Sequence, residues 1–142
     1  MATDAERRRL RALGVMERVK GFETDRQARQ TAEIRDRMRK LVAEKQSLLH
    51  RITTESHVES TEGAAYLGRF IRSIRAEIER VDTLIHMLKP DLERAEEALR
   101  NALAEQKTFE ILRISRTAAL RDAARKREAA ELDEIALQTW RR

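Results

Sequence analysis

The sequence predicts an all-α protein: a long antiparallel two-helix coiled coil, a helical hairpin, with an overhanging C-terminal helix. Of its 142 residues, 39% are charged and only 4% are aromatic, which leaves few side chains to fill a globular core. Four glycines and one proline supply few of the turns that a sheet requires. Aliphatic residues recur with a seven-residue period, which indicates helices packed along a seam.

We expect one coiled-coil domain over residues 1–142. The first helix is predicted at about residues 4–53, the loop at 54–62 and the second helix at about 63–139. The seam of the first helix is clearest in its second half, where steps of three and four give Ile34, Met38, Leu41, Lys45, Leu48 and Ile52. Lys45 is the exception, and we expect its stem to lie on the partner helix with the ammonium outward.

The pattern is lost upstream, through residues 23–33. An apolar stripe is predicted before that gap, at Leu10, Leu13, Val15, Val19 and Phe22. No single register can be assigned across the gap.

The loop is predicted in a segment rich in Ser, Thr and Gly, with Ser60 or Thr61 as the cap of the second helix. A short polar loop between two seams favours an antiparallel hairpin, while parallel pairing of two chains remains the alternative.

The second helix has the longer seam, which implies a left-handed supercoil. Its positions are Leu67, Ile71, Ile74, Ile78, Val81, Ile85, Leu88, Leu92, Ala95, Leu99, Ala102, Gln106 and Phe109. Pro90 lies inside it, and because the seam keeps its phase there, we predict a kink in one continuous helix.

Pairing Ile52 with Leu67 would place Leu10 near Phe109 and end the first helix near residue 115 of the second. The remaining residues, roughly 25 of them, would then extend as a helix without a partner in the chain. Isolated helices of that length are marginal in water, so another protein is expected to hold this end.

Several function classes are disfavoured. The sequence has no cysteine, no signal-peptide pattern and no membrane span, so we expect a cytoplasmic protein. It has no glycine-rich phosphate loop, and its three histidines lack the spacing of a metal pair, so no enzyme, cofactor or small-molecule ligand is expected. The net charge of +5 comes from 30 basic and 25 acidic residues interspersed along the same helices, which does not favour nucleic-acid binding.

Two short motifs are the most specific features of the sequence: Tyr66 with Phe70 early in the second helix, and the run LDEIA at residues 132–136 before an arginine-ended tail. With these motifs the chain resembles the flagellar export protein FliJ family over almost its whole length. The resemblance implies the stalk, or regulatory component, of a flagellar type III protein export ATPase complex. Its joined termini would enter a hexameric export ATPase, and its loop end would reach the cytoplasmic domain of the export gate or export chaperones.

The resemblance also implies a location at the base of a membrane-embedded export apparatus, with membrane contact only through partners. Charged residues at both termini would bind the ATPase: Arg7, Arg8, Arg9, Arg11, Arg121, Arg125, Arg127, Glu131, Asp133 and Glu134. The gate or chaperones would contact Leu41, Leu48, Tyr66, Phe70 and Ile74, although Leu41 and Leu48 stand where other members carry aromatics. The alternatives are an injectisome stalk of the YscO type and a dimerising coiled-coil scaffold.

Overall fold

The computed structural model describes residues 3–55 and 61–141. It contains two helices, α1 (Asp4–Thr54) and α2 (Thr61–Arg141), and no strand within those residues. The predicted fold class is confirmed, since the chain is an all-α helical hairpin. Ser60 and the side chain of Thr61, the predicted caps of the second helix, lie outside the described residues.

The helices form two units. We call residues 26–99 the tip unit, and the residues up to 25 together with those from 100 onward the terminal unit. In the tip unit the pairing is antiparallel, because Arg35 contacts Glu96 while Lys45, further along α1, contacts Asp82. The terminal unit is antiparallel as well, with Glu17 against Arg113 and Lys20 against Glu105.

The core of the tip unit lies on the predicted seams. Leu48, Ile74 and Val81 are buried, and Val81 has no exposed surface at all. Side chains packed against these three are Leu41, Ile52, Phe70, Ile78 and Ile85. Lys45 lies at its seam position with its ammonium 2.7 Å from Asp82, as expected of a lysine whose stem is covered.

The seam of α1 continues through the stretch in which the sequence shows no apolar period. Steps of four and three lead without interruption through buried or half-buried polar residues. These residues are Glu17, Lys20, Thr24, Gln27 and Thr31. The hydroxyls of Thr24 and Thr31 donate to the carbonyls of Lys20 and Gln27, at 2.9 and 2.8 Å, so the threonines can be buried without an unsatisfied polar atom.

The predicted stripe at the start of α1 is only half right. Leu10 and Leu13 lie on the seam and are half-buried. Val15, Val19 and Phe22 are exposed, Phe22 by 73%, because the charged residues Glu17 and Lys20 occupy the seam between them.

The predicted register is wrong by about two to three helical turns in the terminal unit. In place of Leu10 near Phe109, the structure pairs Glu17 with Arg113, and half-buried positions continue at Thr117, Leu120 and Ala124. The prediction started from Ile52 opposite Leu67. In the structure Lys45 contacts Asp82, so the residues of α1 pair with residues further along α2 than predicted.

Two successive steps of four, from Phe109 to Arg113 and from Arg113 to Thr117, interrupt the seven-residue period near the end of the paired part of α2. Such a stutter unwinds a coiled coil locally. Pro90 lies inside α2, which continues through it without ending, and the kink there stays a prediction.

Candidate protein-interaction surfaces

The N-terminal arginines stand on the first turns of α1. Thr3 and Glu6 form a capping box there: the Thr3 hydroxyl accepts from the Glu6 N–H at 3.2 Å, and the Glu6 carboxylate accepts from the Thr3 N–H at 2.8 Å. This cap fixes the helix start, and the four arginines that follow are all exposed: Arg7, Arg8, Arg9 and Arg11. Of these, Arg8 donates from Nε to the Asp4 carbonyl at 3.3 Å.

The C-terminal segment, residues 125–141, is helical and every one of its side chains is exposed. The predicted ATPase-binding residues of α2 are exposed too: Arg121, Arg125, Arg127, Glu131, Asp133 and Glu134. Large apolar side chains lie among them, namely Leu132, Ile135, Leu137 and Trp140. Trp140 is 85% exposed. The segment therefore offers apolar and charged groups of both signs on an exposed helix.

The two chain ends influence each other electrostatically in the terminal unit. The pKa of Glu6 is lowered, first by the hydrogen bond from the Thr3 backbone N–H and further by the positive charges of Arg127 and Arg116. Arg116 and Arg127 of α2 therefore lie near enough to the first turn of α1 for their charges to act on Glu6.

The five residues predicted to contact the export gate or chaperones are not equally available. Leu48 and Ile74 are buried in the core of the tip unit, and Leu41 and Phe70 pack against that core. Tyr66 is 66% exposed. Residues at seam spacing are held by the partner helix, so of the five only Tyr66 presents most of its side chain to another protein.

An aromatic cluster stands next to that exposed tyrosine. The rings of Tyr66 and Phe70 stack with centroids 6.4 Å apart and an interplanar angle of 14°. The guanidinium carbon of Arg51 lies 5.4 Å from the centroid of the Phe70 ring, a cation–π contact between α1 and α2. The cluster orients Tyr66 and closes the pairing near the end of α1.

Sequence reasoning missed a groove in the tip unit. It lies between Leu41 of α1 and the stretch of α2 around Pro90, with Leu84, Met87 and Leu88 in its lining. The available signal was Met87, an apolar residue one step off the seam and three residues before the proline.

Over residues 3–55 and 61–141, no cluster of histidine and acidic residues is suited to hold a metal ion. Neither described helix has an apolar stretch long enough to cross a bilayer.

Two paired helices with charged, uncovered ends define a two-helix coiled-coil protein that offers extended helical surface. The family model described as Flagellar FliJ protein matches residues 6–142, nearly the whole chain, so the chain belongs to the FliJ family. The resemblance seen in the sequence is thereby confirmed, and the protein is a component related to flagellar export. No curated protein and no solved structure gave a significant match.

Proposed function

We propose that this protein is the stalk, or regulatory component, of the flagellar type III export ATPase complex. Its terminal unit would enter the hexameric ATPase ring, and its tip unit would contact the cytoplasmic domain of the export gate or an export chaperone. The complex would stand at the base of the membrane-embedded apparatus. Family membership supports a role in flagellar export, and the surfaces described above support the division of that role between the two units.

The observation that carries the proposal is the exposed C-terminal segment. Residues 125–141 would extend about 25 Å as a helix. An uncovered helix of this length is marginal in water, and a protein surface that buried Leu132, Ile135 and Trp140 would stabilise it. A ring of ATPase subunits provides a surface of this kind around a single helix.

The charges of the segment suit a contact that is specific but shallow. Arg125 and Arg127 stand about one to two and a half turns before Glu131, Asp133 and Glu134, so cations and carboxylates face solvent along the same helix. Rim charges of this kind steer association and set register more than they add affinity. The binding should therefore weaken as salt increases.

Contact at the tip unit would depend on Tyr66, with Phe70 in support. Because Leu48 and Ile74 are already buried, a gate or chaperone could reach them only by opening the pairing of α1 with α2. A tyrosine on a stacked partner is a rigid anchor with a polar end, which suits a protein interface.

The proposal is tested by deleting residues 125–142 from the full chain and adding the product to the export ATPase of the same organism. Helical content per residue should change little, since every described side chain of the deleted segment is exposed, whereas stimulation of ATPase turnover should be lost. Reversal of Arg121, Arg125 and Arg127 to Glu should weaken binding in a salt-dependent way. Arg26, Arg29 and Arg100, also exposed, provide a control set for the same reversal.

Two results would contradict the proposal. Full stimulation by the truncated protein would place the ATPase contact elsewhere on the chain. Equal loss of binding from the control reversals would show that only net charge matters. A monomer in sedimentation supports the stalk, and a dimer that forms with increasing concentration supports the dimerising scaffold.

A further inference from the structure

The groove around Pro90 has an apolar floor that the hairpin does not cover. Leu41 and Leu88, both half-buried, form its base, and Leu84 and Met87 rise from α2 beside them. Met87 is 62% exposed. A large unbranched side chain left in water beside other apolar groups is costly to expose and adapts readily to a partner.

Pro90 adds a polar feature to this floor. Proline has no N–H, so the carbonyl of His86, four residues earlier, lacks its usual helical donor. Both residues line the groove. A backbone acceptor without its usual helical donor therefore lies beside the exposed methionine.

Cations stand on both edges of the groove. Arg37 and Lys40 lie on the α1 edge, and Lys89 and Arg94 lie on the α2 edge. Lys40 is paired with Asp36 at 3.1 Å and Arg94 with Asp91. Arg37 and Lys89 have no ion pair within the part of the chain that the structure describes, so one uncompensated cation remains on each edge.

We propose that this groove binds an amphipathic helix of a partner protein whose apolar stripe is flanked on both sides by acidic residues. The stripe would cover Leu84 and Met87, and the flanking carboxylates would meet Arg37 and Lys89. This contact is independent of the ATPase role proposed above, because all the groove residues lie in the tip unit.

The lining disfavours an anionic polymer or lipid surface as the occupant. Asp91 and Glu93 lie in the same groove, and Glu93 has no ion-pair partner among the described residues. A dense array of phosphates would meet this carboxylate, whereas a helix can place a neutral side chain there. We therefore expect that neutralisation of Glu93 strengthens the binding of an acidic helix.

The test uses methyl NMR of the full chain, whose four methionines each give a separate probe. The probe ligand is a synthetic helical peptide of about 16 residues with leucines at positions i, i+3, i+4 and i+7 and glutamates beside them. The Met87 methyl resonance should shift on titration, and that of Met16, in the terminal unit, should not. A peptide with lysine in place of glutamate should bind about tenfold more weakly at low salt.

Variants on the groove edges complete the design. Arg37→Glu with Lys89→Glu should weaken binding of the acidic peptide about tenfold, and Glu93→Gln should strengthen it. All three side chains are exposed, and unchanged helical content by circular dichroism confirms that the variants fold.

Three outcomes would overturn the proposal. The first is an unmoved Met87 resonance at saturating acidic peptide. The second is equal binding of the lysine peptide, which would leave the groove merely apolar. The third is a Met87 shift caused by phosphatidylglycerol–phosphatidylcholine vesicles but not by the peptide, which would make the occupant a lipid surface.

Discussion

Arg113 donates from Nε and Nη2 to the two carboxylate oxygens of Glu17, and both residues occupy seam positions of the terminal unit. An ion pair thus stands where a coiled coil usually places aliphatic side chains. The hydrogen bond from Arg113, together with its charge, lowers the pKa of Glu17 from its ordinary value of 4.5, and the carboxylate raises the pKa of Arg113.

Because the pKa of Glu17 is lowered in the folded state, the unfolding free energy is predicted to depend on pH. A carboxylate with a lower pKa in the folded state binds fewer protons there, so its contribution is present above the unfolded value of 4.5 and is lost as pH falls through the folded pKa. Glu17→Gln should therefore lower the unfolding free energy at pH 7, and the difference from the parent should vanish in strong acid.

Urea titrations from pH 7 to pH 2 at low salt measure this difference. Glu79→Gln is the control, because Glu79 is exposed and its carboxylate has no ion pair in the described chain, so its effect at pH 7 should be smaller. A Glu17→Gln difference that stays constant over the whole pH range would exclude the ion pair as its cause.

Truncation of Val81, which has no exposed surface, is predicted to destabilise the tip unit. The side chain is fully buried between α1 and α2, so Val81→Ala should lower the unfolding free energy by about 2 kcal/mol through lost burial and a residual cavity. Leu84→Ala, three residues away on a more exposed face, should cost less than half as much. Chemical denaturation gives both values, and a larger effect at Leu84 would reverse the assigned faces.

The buried hydroxyl of Thr31 predicts that the polar part of the α1 seam contributes less to the stability of the hairpin than an apolar residue would. Its side chain is 1% exposed, and its hydroxyl donates to a Gln27 carbonyl that also accepts the helical N–H of Thr31. Thr31→Val keeps the shape and removes a buried hydroxyl, so thermal unfolding should show a gain of about 1 kcal/mol. Thr31→Ser, which removes the methyl group, should cost a similar amount. Destabilisation by valine would show that the hydroxyl has a second partner.

Replacement of Pro90 is predicted to stabilise the protein. Pro90→Ala restores an N–H that can donate to the His86 carbonyl and removes the clash of the ring with the preceding turn, so the unfolding free energy should rise by about 2 kcal/mol. The matched control is Lys89→Ala, at an exposed position of the same turn, which should change stability by less than about 0.5 kcal/mol. No gain at Pro90 would mean that the turn already satisfies this carbonyl in another way.

The sequence predicted the hairpin and the seams of the tip unit because aliphatic side chains mark both faces there, from Ile34 to Ile52 and from Leu67 to Leu99. It did not predict the polar stretch of the α1 seam from Glu17 to Thr31, where charged residues, threonine and glutamine lie at the positions expected of leucine. Thr24 and Thr31 enter the interface because their hydroxyls bond to their own helix, a satisfaction that an apolar pattern cannot show. The same gap placed Val15, Val19 and Phe22 on the wrong face.

The residues of the candidate sites also differ in how well the sequence predicted their exposure. The charged residues at the termini were predicted from the family resemblance and are exposed, whereas Leu48 and Ile74, predicted in the same way as contacts, are core residues. A residue at seam spacing serves pairing first, and an aliphatic pattern alone does not tell which side chains remain for a partner. The groove at Pro90 depends on where two helices meet, and this juxtaposition becomes visible only once the register is known.

The uncovered C-terminal segment also has a consequence for local unfolding. Because every side chain of residues 125–141 is exposed, the amides of this segment should exchange with solvent hydrogen far faster than those around Val81, which open only when the hairpin separates. A partner that binds residues 125–141 would slow hydrogen exchange there and leave hydrogen exchange in the tip unit unchanged. Part of its binding energy would be spent on ordering that helix, which lowers the affinity and keeps the contact reversible.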